Sequence, residues 1–279
     1  MNWKRRKAAT LLLAVIAVAV VFLGWRIFNP REPVYHGQPL SAWVRQFGTN
    51  SFGRGSKSSA EEAERAIQQI GADALPFLLR QVRASDSTLK KKLRATVPGN
   101  WHNRLGLRDR SQDIRRLGAR GFHALGTNAA PAAPALIEIA IRHPDDDARY
   151  IAVFGLRKLA PIGEPVIPFL TQCLTNSDDR IRDEAAIAFG GMRDRPEFVV
   201  PILIQYLQFA KNSTHTYECS DTVGLLGRFG TNAKAATPIL LELLNHPVAD
   251  VRSEVTNWLP RIDAEAAAKA GVKQPGQAP

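Results

Sequence analysis

The chain of 279 residues has two cysteines, Cys173 and Cys219. That is too few for a disulfide framework. The short templates of familiar chemistry are missing as well. There is no Gly-x-Ser-x-Gly elbow, no His-Glu-x-x-His, no Walker loop and no paired Cys-x-x-Cys. These absences leave no enzyme class, cofactor or resident metal supported, and the chain is expected to be non-catalytic. Residues 1–31 also contain no Asp or Glu, against six Lys/Arg.

That one-signed segment accounts for much of the net charge of +11, because residues 32–279 hold 31 Lys/Arg against 26 Asp/Glu. The window 83–120 alone has eleven Lys/Arg and three Asp, so the rest of the folded part is slightly acidic. Lys4, Arg5, Arg6 and Lys7 precede eighteen uncharged residues, Ala8 to Trp25. As a helix this run spans roughly 27 Å, close to the hydrocarbon thickness of a bilayer. Trp3 and Trp25 bracket it at interfacial positions. The basic cluster before the span predicts a cytoplasmic N-terminus, with all that follows periplasmic or extracellular. Ala17-Val18-Ala19 has the small-x-small form of a signal cleavage site, but the apolar run continues past it, which favours an uncleaved single-pass anchor.

What is abundant is repetition. GTNAAPAAPALIE at 126–138 returns as GTNAKAATPILLE at 230–242, and FGTN also occurs at 47–50. Prolines followed two residues later by leucine recur at Pro76, Pro134, Pro168, Pro201 and Pro238, with spacings of 58, 34, 33 and 37. Arg149, Arg182 and Arg252 form a second register at 33 and 70 residues, the latter two periods. Two markers at one period indicate a stack of helical hairpins. Apolar residues at helical spacing, such as Ile151, Phe154, Leu156 and Leu159, trace a first helix. Acids at Asp145–Asp147 and Asp178–Asp179 suit its positive N-terminal end. A glycine closes it, and the marker proline begins the second helix, where its missing N–H is harmless.

The Asp-x-Arg of DARYIAVFGL and DVRSEVTNWL, the Ala-rich first helix ending in Gly and the Pro-x-Leu of the second helix resemble the HEAT-repeat family. The resemblance is to its shorter bacterial form, also seen in phycobilisome-lyase-like proteins, and the lead YHGQPLSAWVRQF is similar to that of membrane-anchored bacterial HEAT proteins. It implies an α-solenoid with a binding role, so that with the anchor read above the expected fold is an all-α, right-handed α-solenoid behind a single N-terminal transmembrane helix. The first spacing departs from the pattern by about 24 residues.

The expected organisation is a basic tail and anchor at 1–31, a lead at 32–59, HEAT-like repeats at 60–262 with a basic insertion at 85–110, and a largely disordered tail at 263–279. In the lead, Ser41 is expected to N-cap a short helix through Gln46 that Gly48 stops. After the Gly/Ser loop 51–58, Ser59 with Glu62 should form a capping box. In the GTN phrases, Gly126 and Gly230 should close first helices, with Asn128 and Asn232 as caps. The cysteines fall two repeats apart, too far for a bridge when stacked helices sit roughly 8–10 Å apart.

Two surfaces are candidates for function. Four residues after each marker proline stand Arg80, Glu138, Gln172, Gln205 and Glu242, a wholly polar column on the second helices. In HEAT-like stacks those helices line the concave side, so the column is the expected groove for an unidentified protein partner. The bland alternative is an ordinary solvated helix face. The insertion carries Lys90, Lys91, Lys92, Arg94, Trp101, Arg104 and Arg108, cations beside an aromatic. Anionic lipid headgroups or another polyanion would suit these residues, whereas export disfavours nucleic acid. A long solvated loop is the alternative there. His215 and Cys219 would share a face if helical, but a zinc site needs more ligands than are visible. The remaining alternative function is a bilin-lyase-like enzyme on the same repeats, which would be cytoplasmic and need no anchor.

Overall fold

The computed structural model describes residues 32–50, 57–107, 109–157, 159, 163, 165–213 and 215–272. The anchor expected at Ala8–Trp25 and the cation Arg108 lie outside the described residues. The lead opens with a two-stranded hairpin, β1 (Val34–Tyr35) and β2 (Gln38–Pro39). It turns through His36 and Gly37, both at positive φ as a tight hairpin turn demands. Next comes α1 (Leu40–Asn50). This helix runs through Gly48 instead of stopping there: Leu40, Trp43, Val44 and Phe47 put an i, i+3, i+4, i+7 face on the core, and that packing overrides the glycine. The expected Ser41 cap falls inside it.

Thereafter first and second helices alternate. The first helices are α2 (Lys57–Ile70), α5 (Ser111–Leu125), α7 (Asp146–Leu156), α9 (Asp179–Gly190), α11 (Thr216–Gly227) and α13 (Ala249–Ile262). The second helices are α3 (Leu75–Val82), α6 (Ala133–Arg142), α8 (Val166–Cys173), α10 (Pro196–Ala210) and α12 (Thr237–Leu243). Each second helix packs against the next first helix, and first helices from α5 to α13 also pack on one another. The result is an all-helical α-solenoid. The extra residues after α3 bulge out as α4 (Thr88–Thr96) and a short 3₁₀ turn, Gly99–Trp101, so the insertion is largely structured. The stack is unbroken beneath it, since Gly118 and Gly121 of α5 let the backbone approach Leu78 and Val82 of α3 closely.

The period has a physical basis in two places. The leucine after each marker proline, Leu78, Leu136, Leu170, Leu203 and Leu240, is wholly buried. Each such burial stabilises by about 1.5–3 kcal/mol. The marker arginines staple the turn before their own helix. Arg149, Arg182 and Arg252 each donate from Nη1 to the carbonyl six residues earlier, at His143 (3.2 Å), Asn176 (2.6 Å) and His246 (2.6 Å). These carbonyls lie just past a second helix and would otherwise need water. Asp145 and Asp178 cap α7 and α9 as their positions require.

Several local expectations are corrected. Helix α2 begins at Lys57, ahead of Ser59, whose hydroxyl accepts from Gln46 Nε2 at 2.9 Å instead of capping. Gly126 and Gly230 do sit at positive φ (55° and 56°), but 3₁₀ turns over 126–132 and 230–236 follow them. Asn128 and Asn232 are exposed within those turns, while Ala132 and Ala236 precede the second helices without a side-chain cap. Pro201 lies inside α10, which starts at Pro196. The tail begins with a helix, α14 (Ala264–Lys269), because Asp263 accepts from Ala266 N–H and Ala267 is buried. Cys173 and Cys219 are free and buried, and burial pushes their thiols up to about 12 and about 11. Among the described residues, the one stretch apolar enough to cross a bilayer is 111–142. It comprises α5, a 3₁₀ turn and α6, broken at Gly126 and packed in the solenoid.

Candidate interaction surfaces

The five column residues fall on five successive second helices. Gln172 and Gln205 are exposed, and Arg80 lies over the Phe77 ring at 5.4 Å. The two glutamates reach toward the previous repeat. Glu138 pairs with Arg83 at 3.6 Å, and Glu242 accepts from Lys211 Nζ at 2.8 Å. Both carboxylates remain more than half exposed, so each pair contributes at most about 1 kcal/mol and can exchange partners readily.

The insertion is more ordered than a solvated loop. Ser87 caps α4 by accepting from Lys90 N–H. Asp86 holds Lys90 at 3.0 Å and Arg94 at 2.8 Å, and Arg94 also pairs with Asp109 at 3.3 Å. The Ser111 hydroxyl, helped by Arg94 and Arg115, keeps the Asp109 carboxyl below its usual range. Two of the named cations are therefore committed internally. Lys91 and Lys92 are exposed beside Leu89 and Leu93, and Arg104 lies over a half-exposed Trp101 at 5.9 Å.

His215 and Cys219 are separated: α11 starts only at Thr216, His215 is exposed at its N-cap and Cys219 is fully buried. No group of three or more His, Cys, Asp or Glu side chains suited to a metal comes together among the described residues.

A further surface was not singled out from the sequence. The first-helix row carries a network of ion pairs between repeats. Arg115, almost fully buried, binds Asp145 at 3.2 Å, Asp147 at 2.9 Å and the Ala84 carbonyl at 2.8 Å. Glu184 accepts from Tyr150 at 3.2 Å and Arg157 at 3.1 Å, and burial nevertheless raises its pKa. Burial and Glu184 push the Tyr150 phenol up to about 12, so it stays a donor. Alongside this network lies a cleft of about 360 Å³ between α5 and α7, closed at one side by Phe47 of α1. Arg116, Arg120 and His123 line it from α5, Tyr150 and Phe154 from α7, and Arg157 from the residue that caps the end of α7. Both triplets are i, i+4, i+7, and they are offset by 34 residues, one repeat period. The first helices therefore carry this pattern in the same register as the second helices carry theirs.

Residues 133–218 match the HEAT repeats family. The matched segment runs from α6 to the start of α11, about a third of the chain. No curated protein matches it. Similar solved structures include an engineered protein at 16% identity, covering 81% of this chain and 96% of that one with a TM-score of 0.43. Another is a designed armadillo repeat protein in complex with the peptide (KR)4, at 14% identity, covering 83% of this chain and 98% of that one, with a TM-score of 0.45.

Proposed function

We propose that this chain is a non-catalytic scaffold, anchored in the bacterial envelope through Ala8 to Trp25, that binds a protein partner along its second helices. The observation that carries the reading is the column itself. Arg80, Glu138, Gln172, Gln205 and Glu242 each stand four residues after the marker proline on five consecutive second helices, while the leucine two residues before each is sealed in the core. A rigid stack that presents one polar position per repeat is suited to reading an extended partner, because each repeat adds a contact without a further folding cost. Charge reversal at Glu138 and Glu242 together should reduce capture of envelope partners by the full chain. Undiminished capture would contradict the column as the contact surface.

The anchor and topology belong to the same proposal. Carbonate extraction should leave the chain in the membrane fraction, and a reporter fused after residue 279 should be active only outside the cytoplasm. A cytoplasmic signal would overturn the topology.

One observation favours a second contact, with anionic lipid. Helix α4 exposes Leu89 and Leu93 next to Lys91 and Lys92, with Trp101 close behind in the chain, a composition suited to an interfacial helix. Replacing Lys91 and Lys92 by Ala should weaken binding to anionic liposomes at low salt. Equal retention would remove this reading.

A further inference from the structure

We propose that the cleft between α5 and α7 is a docking site for an acidic peptide segment in which a carboxylate side chain neighbours a large apolar one. The site is separate from the second-helix column and does not depend on it.

The chemistry of the walls defines the ligand. Among the described residues no carboxylate lines the cleft, whereas three arginines do. Arg116 and Arg120 stand one turn apart on the same face of α5, an arrangement of like charges that an isolated helix disfavours. Arg116 is exposed and makes no hydrogen bond or ion pair among the described residues, so its guanidinium is available for a two-pronged carboxylate contact. Arg157 is held at the far wall, its guanidinium 4.6 Å from the centre of the Phe154 ring and bonded to Glu184. The rest is apolar or aromatic. His123 lies between Phe47 and Phe154, with ring centres 6.1 and 6.3 Å away, over a base that includes the buried Ala119. A bare phosphate or sulfate would leave that apolar surface uncovered, and an uncharged peptide would leave the Arg116 guanidinium unused. An acid next to Leu or Phe satisfies both, and the volume suits one or two side chains.

The lining residues also exclude another mode of anion binding. Apart from Phe47, they occupy the middle and last turns of α5 and α7 and the C-cap of α7, where backbone N–H groups are already bonded along the helix. Anion recognition therefore falls to the guanidinium groups. Beyond Arg157 the first-helix row carries Asp183, Asp221 and Glu254, where Asp221 helps raise the Asp183 carboxyl and Glu254 that of Asp221. Acidic residues of the ligand are therefore confined to the cleft end, and the bound segment has a fixed direction.

The test is selection of a random displayed dodecapeptide library on the full chain in mild detergent, followed by affinity measurement on synthetic copies of the enriched peptides. The expected outcome is enrichment of Asp or Glu beside a large apolar residue. Affinity should fall at least tenfold for Arg116→Glu and for the Asn/Gln version of the peptide. Arg116→Lys should retain part of the binding, and affinity should weaken as salt rises. Circular dichroism checks that the variants, which change one exposed side chain, keep their helices. Glu138→Lys with Glu242→Lys should leave this binding intact, which separates failure here from failure of the second-helix proposal. No enrichment, enrichment of sequences without acids, or equal affinity for Arg116→Glu would each overturn the site.

Discussion

Arg182 of α9 and Glu218 of α11 form an ion pair sealed between adjacent first helices, with the two residues 6% and 1% exposed. The Arg182 Nε donates to Glu218 Oε1 at 2.9 Å, while its Nη1 donates to the Asn176 and Ser177 carbonyls. One side chain thus fixes the turn before its own repeat and the register of the next. Removing the carboxylate would strand a buried guanidinium. Glu218→Ala is expected to lower unfolding free energy by about 3–5 kcal/mol in urea titration. Glu138→Ala, which breaks only an exposed pair, should change it by less than about 1 kcal/mol. Similar losses for the two variants would contradict the contrast between buried and surface pairs.

Close approach of the last first helices rests on Gly227. A Cβ there would lie 2.2 Å from the Trp258 ring, whereas one at Gly224, a turn earlier, would find its nearest neighbour at 3.7 Å. Gly227→Ala should destabilise by about 1–3 kcal/mol through overpacking. Gly224→Ala should be neutral or stabilise by up to about 1 kcal/mol, because alanine is the better helix former. Equal thermal shifts in the two variants would show that α11 and α13 are not held at this distance.

Asp183 makes the fold sensitive to mild acid in an unusual direction. Burial, with Asp221, Glu184 and Glu218 nearby, raises its carboxyl from 3.8 to about 6. Between those values the folded chain keeps a proton that the unfolded chain has lost, so this group makes stability fall as pH rises through the window. The side chain is only half-buried, so after allowance for solvent screening the penalty is about 1 kcal/mol at pH 7.5. Asp183→Asn should therefore stabilise by about that amount at pH 7.5 and by nothing near pH 4. A gain that persists at pH 4 would assign the effect to packing instead.

Burial also predicts the behaviour of the thiols. Cys173 and Cys219 should react with a thiol reagent only at the rate of unfolding, since the raised pKa values leave almost no thiolate at neutral pH. Rapid modification of the native chain would contradict their burial.

Much of the architecture was readable because a repeat states its own packing. Leu78, Leu136, Leu170, Leu203 and Leu240 were placed by spacing alone, and all are buried. Helix ends were less legible. The extent of α1 beyond Gly48 depends on what its apolar face meets, and the stop of a glycine is weaker than that packing. Asp86 illustrates a different loss: it pairs with Lys90 and Arg94 together, a fact of folding that a count of cations in the insertion conceals. The cleft at Arg116 and Phe154 is not legible in the linear sequence because its two halves are 34 residues apart and meet only when first helices are stacked.

The most direct test of the scaffold proposal is site-specific photo-crosslinking in the native envelope, with the crosslinker placed in turn at Gln172 and Gln205 of the full chain. A discrete higher-mass adduct from both positions, lost when Glu138 and Glu242 are reversed in charge, is the predicted result. Absence of any adduct from either position, or one indifferent to those reversals, would contradict a partner seated along the second helices.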